Sequence, residues 1–179
     1  MPAQYEQYEE MKNFLEFDDT DVANLQKLAP VFDKHGPAIT RNFYDILGKF
    51  PTTAKLIEGR VDSLMATHTQ WMKELFAGDY GEDYFNRRVR IGETHVRIGL
   101  RPYYVEAVMN NIRTAGQLAI HEEMGDEASA LTTSLLKILD LDLIVINLAY
   151  AEDRLDRISS FTGMSRKLIE NVVNRAKKK

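Results

Sequence analysis

The chain has 179 residues, of which 44% are hydrophobic, 28% charged and 9% aromatic. This length and composition predict one globular domain with a sizeable core. A formal net charge of −4 argues against nucleic acid as the main partner. The absence of cysteine excludes disulfides and thiolate chemistry, and it is compatible with a cytoplasmic location. The most apolar stretch, residues 135–148, is interrupted by charged side chains, so we expect no membrane-spanning segment.

Apolar residues recur at helical spacing along the whole chain, whereas the alternation typical of strands is short. With only 10 Gly and 5 Pro, the sequence predicts an all-α fold of six or seven helices plus a short basic C-terminal helix. We expect a first helix from Asp18 that Pro30 ends or kinks, and a second helix after Pro37. The further helices are predicted at residues 51–59, 62–76, 82–99, 104–125 and 127–158.

Two features bear on domain organisation and assembly. We predict a domain over residues 1–158 and, over residues 159–179, a basic tail that is helical or begins a linker. Residues 135–148 are apolar around most of the helix circumference. We therefore expect a homodimer that buries the remaining apolar surface of the last two long helices.

The sequence carries no motif of a familiar enzyme class. Its four histidines are His35, His68, His95 and His121. None of them has an acidic residue three positions earlier, as di-iron bundles require, and there is no His-Glu-x-x-His zinc motif. Dinucleotide-binding loops, Walker loops and serine nucleophile elbows are also absent from the sequence.

Two of the histidines lie on apolar faces of predicted helices. His68 shares its face with Leu64 and Trp71, and His95 shares its face with Ile91. A histidine in such a place is most often a hydrogen-bonded core residue. Glycine inside a helix, however, indicates close approach of a bulky group, and a flat aromatic ligand would explain the glycines around His95. These glycines are Gly92 and Gly99.

The segment around His95 resembles a known family signature. Residues 91–104 read IGETHVRIGLRPYY, which is similar to the proximal-helix pattern of the globin-coupled sensors, haem proteins of bacteria and archaea related to protoglobins. Upstream, Phe43-Tyr44 followed by Phe50-Pro51 resembles the distal B helix of that family. Residues 71–78 resemble its E helix and the turn that follows. The resemblance covers about residues 15–155.

The resemblance implies a globin-like fold in a single domain, with an extended N-terminal segment and no distinct D helix. It implies haem b between the E and F helices, with His95 as the proximal iron ligand. In the family pattern the Tyr44 hydroxyl donates a hydrogen bond to bound oxygen, Leu64 limits access and Thr67 offers a second polar contact. A core tyrosine whose hydroxyl reaches the surface is the alternative for Tyr44. The implied haem-contacting set also includes Met65, His68, Trp71, Ile91, Gly92, Ile98 and Tyr104.

The resemblance leaves open the role of His68 and the choice of arginines that pair with the haem propionates. His68 stands where many relatives have a non-coordinating residue, so it hydrogen-bonds the gas, binds the iron as a sixth ligand or packs beside the ring. One or two of the arginines near His95 are expected to pair with the haem propionates. These arginines are Arg87, Arg88, Arg90, Arg97 and Arg101.

The resemblance implies a gas sensor, with oxygen as the favoured ligand and carbon monoxide or nitric oxide as others. Binding would be signalled through the last helices and the dimer interface. The domain itself is expected not to be an enzyme. Family members usually carry an output domain, and any enzymatic output domain would lie beyond residue 179. The chain is thus either the sensor piece of a longer protein or a single-domain sensor. The alternatives are a haem globin with peroxidase or nitric oxide dioxygenase activity, and a haem-free helical interaction domain.

Overall fold

A computed structural model of the protein describes residues 2–176. Its helices are α1 (Pro2–Phe14), α2 (Asp19–Gly48), α3 (Pro51–Ile57), α4 (Val61–Glu74), α5 (Glu82–Arg97), α6 (Pro102–Met124), α7 (Ala128–Thr162) and α8 (Arg166–Ala176), with a 3₁₀ turn, Gly125–Glu127, between α6 and α7. No strand occurs among these residues, so the predicted all-α class is confirmed. No helix in the same range is both long and apolar enough to cross a bilayer.

Helix α2 runs without interruption through Pro30 and Pro37, so the prediction of two separate helices is wrong. Its start was predicted correctly, because Asp18 caps the helix and exchanges side-chain hydrogen bonds with Asp21. Each interior proline removes a backbone hydrogen bond and costs about 3 kcal/mol. The long apolar face of α2 packs on α4, α6 and α7, and this burial outweighs the cost.

Helix α1 belongs to the extended N-terminal segment and was not predicted. Tyr8 anchors it: the side chain is fully buried and its hydroxyl donates to the backbone oxygen of Tyr80 at 3.0 Å. The Tyr8 ring also lies 5.4 Å from the ring of Phe85, between centroids. These contacts attach α1 to the start of α5.

Helix α7 forms the centre of the molecule. It packs against α1, α2, α5, α6 and α8, and residues such as Leu135, Ile138 and Val145 are fully buried. Most of the apolar circumference over residues 135–148 is therefore covered within one chain. The exposed apolar surface available for a dimer is smaller than the sequence indicates.

Candidate functional site

Helices α4 and α5 each carry one partly buried histidine with an unpartnered ring nitrogen. Within residues 2–176, Nε2 of His68 and Nδ1 of His95 are buried and accept or donate no hydrogen bond. Burial lowers the pKa of each ring to about 4, so both imidazoles are neutral at pH 7. A buried polar atom without a partner costs about 1–3 kcal/mol and calls for an explanation. A neutral imidazole is also the form that binds a metal.

The ring of His68 is held by α2 on one side and by its own helix on the other. Its Nδ1 shares a hydrogen bond of 2.9 Å with the Thr40 hydroxyl. The ring centroid lies 5.0 Å from that of Phe43 and 4.9 Å from that of Trp71. Thr40 was not predicted as a site residue, although it lies one helical turn before Tyr44 on the buried face of α2.

Tyr44 lies beside His68, with its ring perpendicular to the imidazole at a centroid distance of 6.2 Å. Only 9% of the residue is exposed, and burial raises the pKa of its hydroxyl to about 12. The raised pKa keeps the hydroxyl protonated at neutral pH, and since the hydroxyl makes no hydrogen bond within the described residues, it is free to donate. Leu64 and Met65 pack in the same apolar cluster as Tyr44. The structure thus brings these four predicted residues of α2 and α4 together.

For four other predicted site residues, the structure shows no contact with His68 or Tyr44 among the described side-chain contacts. Thr67 is exposed, and its hydroxyl donates to the backbone oxygen of Ser63 at 3.0 Å, so it is bound to its own helix instead of offering a free polar contact. Tyr104 is partly buried and its ring lies 4.6 Å from that of Tyr103. Ile91 and Ile98 are partly buried near His95 on the last turns of α5.

Helix packing and backbone conformation account for the two glycines beside His95, whereas the sequence predicted that they allow a flat ligand to approach. A Cβ at Gly92 would lie 2.6 Å from Cβ of Ala149 and 2.9 Å from the backbone oxygen of Ile146. Gly92 therefore permits the close contact between α5 and α7. Gly99 has a φ of 72° and follows the C-terminus of α5, where a left-handed residue favours glycine.

A fully buried carboxylate, Asp142 of α7, connects α4 and α5. One of its oxygens accepts from Nε1 of Trp71 at 2.7 Å and from Nε of Arg88 at 3.0 Å. The other oxygen accepts from the Tyr84 hydroxyl at 2.5 Å. Arg88 is also fully buried and pairs with Glu74 at the end of α4. This network could not be predicted from the sequence, because its members are far apart in the chain.

The network settles the role of one arginine. Arg88 is committed to Asp142 and Glu74, which leaves the other four arginines as candidates for the haem propionates. Arg87 also pairs with Glu74, at 3.0 Å. The three exposed candidates that remain are Arg90, Arg97 and Arg101.

The donor chemistry of the two histidines fits a haem. Helix α4 packs on α2, whereas α5 packs on α7, so the two histidine-bearing helices are supported by different neighbours. Their polar side-chain links within residues 2–176 lie at one end, at Trp71 and Glu74. The surroundings of His68 and Tyr44 are apolar and aromatic. Neutral His95 has the donor chemistry of a proximal haem ligand.

Comparisons with known proteins agree with this geometry. The family model described as protoglobin matches residues 4–156. The chain is 26% identical over 160 residues to the haem-based aerotactic transducer HemAT of Halobacterium salinarum, an alignment that covers 82% of this chain and 33% of that protein. The chain thus spans about a third of the length of this curated relative.

Solved structures match over most of the chain. The globin domain of a Geobacter sulfurreducens globin-coupled sensor is 32% identical, with a TM-score of 0.76, and the match covers 79% of this chain and 96% of that one. The globin domain of DosC from E. coli is 20% identical, with a TM-score of 0.65, and the match covers 78% and 97% of the two chains. The second match supports the globin-like fold alone.

Proposed function

The chain belongs to the protoglobin family, and from that premise we propose that it is a haem-based sensor of a diatomic gas, with oxygen as the favoured ligand. The observation that carries the proposal is the pair of neutral, buried histidines on α4 and α5, each with an unpartnered ring nitrogen. A structural core histidine would normally have both ring nitrogens satisfied.

His95 is the proposed iron ligand, and haem b is the proposed form of the cofactor. When bound, the haem would supply an iron centre with a coordination position at which a small gas binds reversibly. The imidazole of His95 stays neutral because it is buried, so its lone pair is available. Ile91 and Ile98 are partly buried beside it and would exclude water.

On the other side, Tyr44 is the proposed donor to the bound gas. Its hydroxyl remains protonated at any physiological pH and has no competing partner among the described residues. His68 offers a second polar atom, Nε2, since Nδ1 is occupied by Thr40. The two proposed polar roles of His68, sixth ligand or hydrogen-bond donor, would each satisfy that atom.

The proposed signal path leads to α7 and to a second copy of the chain. Gly92 brings α5 into direct contact with α7, so a shift of α5 would move α7 with it. We propose a homodimer through α6 and α7, which the exposure of Leu118 on α6, at 71%, supports. The proposal also includes a sensor domain that is not itself an enzyme and a cytoplasmic location. A separate output domain is part of the proposal too, which the alignment supports by covering only 33% of HemAT.

The experiment is absorption spectroscopy of the purified protein, reconstituted with haem if needed. We expect a Soret band that shifts reversibly when oxygen, carbon monoxide or nitric oxide is added to the ferrous form. Absence of haem binding would favour the interaction-domain alternative. Sustained turnover of peroxide or of nitric oxide with oxygen would favour the redox alternative.

A further inference from the structure

Trp71 links the cluster around His68 to helix α7. Its ring centroid lies 4.9 Å from that of His68, one turn away on α4. Its indole nitrogen donates to Oδ2 of Asp142 at 2.7 Å. Among residues 2–176, this is the hydrogen bond that joins an α4 side chain to α7. The indole ring therefore lies next to the His68 ring, while its N–H is bound to α7.

Asp142 is a firm anchor for that bond. The carboxylate is fully buried and also accepts from the Tyr84 hydroxyl and the Arg88 guanidinium, both on α5. The guanidinium of Arg88 stacks on the Tyr84 ring, 3.8 Å from its centroid. Hydrogen bonds to a buried charge are strong and are not screened by solvent. Because Asp142 has these two further donors, loss of either one leaves the carboxylate held by the other and still available to Trp71.

The His68 ring has two neighbours that restrict it, the Thr40 hydroxyl at Nδ1 and the tilted Trp71 ring at a centroid distance of 4.9 Å. If the imidazole moves toward or away from a bound haem or gas, the neighbouring indole moves with it. Movement of the indole in turn stretches its hydrogen bond to Asp142. Resting on the proposed haem function, we propose that Trp71 is a positioning residue: anchored on Asp142, it orients the His68 ring and couples that ring to α7. Such coupling acts equally in both directions.

The coupling can be removed without leaving a buried charge unpaired. Trp71→Phe retains an aromatic ring against His68 and deletes only the indole N–H, while Asp142 still has Arg88 and Tyr84. Tyr84→Phe is the matched control, because it deletes one donor to the same carboxylate from α5 and leaves the α4 bond intact. Both variants lose a single hydrogen bond to Asp142.

The test compares backbone hydrogen exchange over residues 138–149 of α7, before and after haem is added, in the wild type and both variants. Haem binding is first verified by the Soret band. Absence of that band would contradict the proposed haem function, whereas the exchange rates test the role of Trp71. In the wild type we expect haem to change the exchange rates of this segment. In Trp71→Phe the change falls by about twofold or more, whereas Tyr84→Phe retains it. An undiminished response in Trp71→Phe, or equal losses in both variants, would overturn the proposal.

A second variant, His68→Ala, tests the same coupling without haem, and it can be used if Trp71→Phe does not fold or if the protein binds no haem. In the haem-free protein, His68→Ala is expected to raise exchange over residues 138–149, because the indole loses one of its supports. Thr67→Ala, an exposed position on the same helix, is the control and is expected to leave this exchange unchanged. Unaltered exchange in His68→Ala would contradict the coupling.

Discussion

The hydroxyl of Thr40 on α2 lies 2.9 Å from Nδ1 of His68 on α4, and Nε2 of the same ring is buried without a partner. The direction of that hydrogen bond determines what Nε2 can do. If Nδ1 is protonated and donates to Thr40, Nε2 carries a lone pair that can bind a metal. If the threonine donates, Nε2 carries the proton and can donate to a gas. Because the Thr40 hydroxyl can donate or accept, both forms of His68 are compatible with this contact.

We predict that the ferrous haem-loaded protein without gas has a six-coordinate spectrum, with His68 as the sixth ligand. Ligation satisfies Nε2, which otherwise costs about 1–3 kcal/mol as an unpartnered buried atom. His68→Ala is expected to give a five-coordinate spectrum, and Thr40→Val a mixture. Identical five-coordinate spectra in the wild type and His68→Ala would exclude ligation, while leaving the haem assignment intact.

Tyr44→Phe is expected to speed oxygen dissociation from the ferrous protein by about tenfold. The substitution removes the hydroxyl donor and keeps the ring in its apolar cluster, and a hydrogen bond to a charged acceptor is worth about 1.5–3 kcal/mol. Stopped-flow displacement of oxygen by carbon monoxide measures the rate. An unchanged rate would show that Tyr44 does not contact the ligand.

Gly92→Ala is expected to destabilise the protein by about 1–3 kcal/mol, because the new methyl group would overlap Ala149 and the backbone of Ile146. Urea denaturation of the haem-free protein, followed by circular dichroism, measures the change. Gly48→Ala at the end of α2 is the control, since a methyl group added there would meet no atom within 4 Å and the φ of Gly48 is not left-handed. Equal stabilities of the two variants would contradict the close α5–α7 contact.

Much of the fold could be predicted from local patterns. The helices α3 to α7 begin and end within about four residues of the predicted bounds, because Pro51, Pro102 and the glycines near 78, 99 and 125 act locally. The course of α2 through Pro30 and Pro37 could not be predicted in this way. Whether a helix continues past a proline depends on the surfaces it packs against, and those surfaces come from α4, α6 and α7.

The candidate site was predictable only in part. His68, His95 and Tyr44 are recognised by helical spacing and by the family pattern. Trp71 was predicted as a pocket residue, but its bond to Asp142 joins positions 71 residues apart and leaves no local signal. The ion pair of Arg88 with Asp142 also joins distant positions, so the sequence could not separate Arg88 from the four other arginines near His95.

We predict a homodimer in light scattering at tens of micromolar. Leu118 on α6 is 71% exposed, and pairing of α6 and α7 with a second copy would cover it. Leu118→Glu is expected to shift the equilibrium toward monomer. Phe14→Glu, which alters an apolar side chain that is 80% exposed on α1, serves as the control and is expected to leave the dimer intact. A monodisperse wild-type monomer would exclude the dimer.

The most direct test of the haem assignment is the Soret absorption of His95→Ala after reconstitution with haem, beside the wild type and His121→Ala. His121 is exposed at the end of α6, so its loss is expected to leave haem binding unchanged. His95→Ala is expected to lose stable haem binding while its helical circular dichroism persists, because the bond from His95 is the one that would remain when a gas takes the place of His68. Added imidazole is expected to restore part of the absorption. Full haem retention with an unchanged spectrum in His95→Ala would contradict the account.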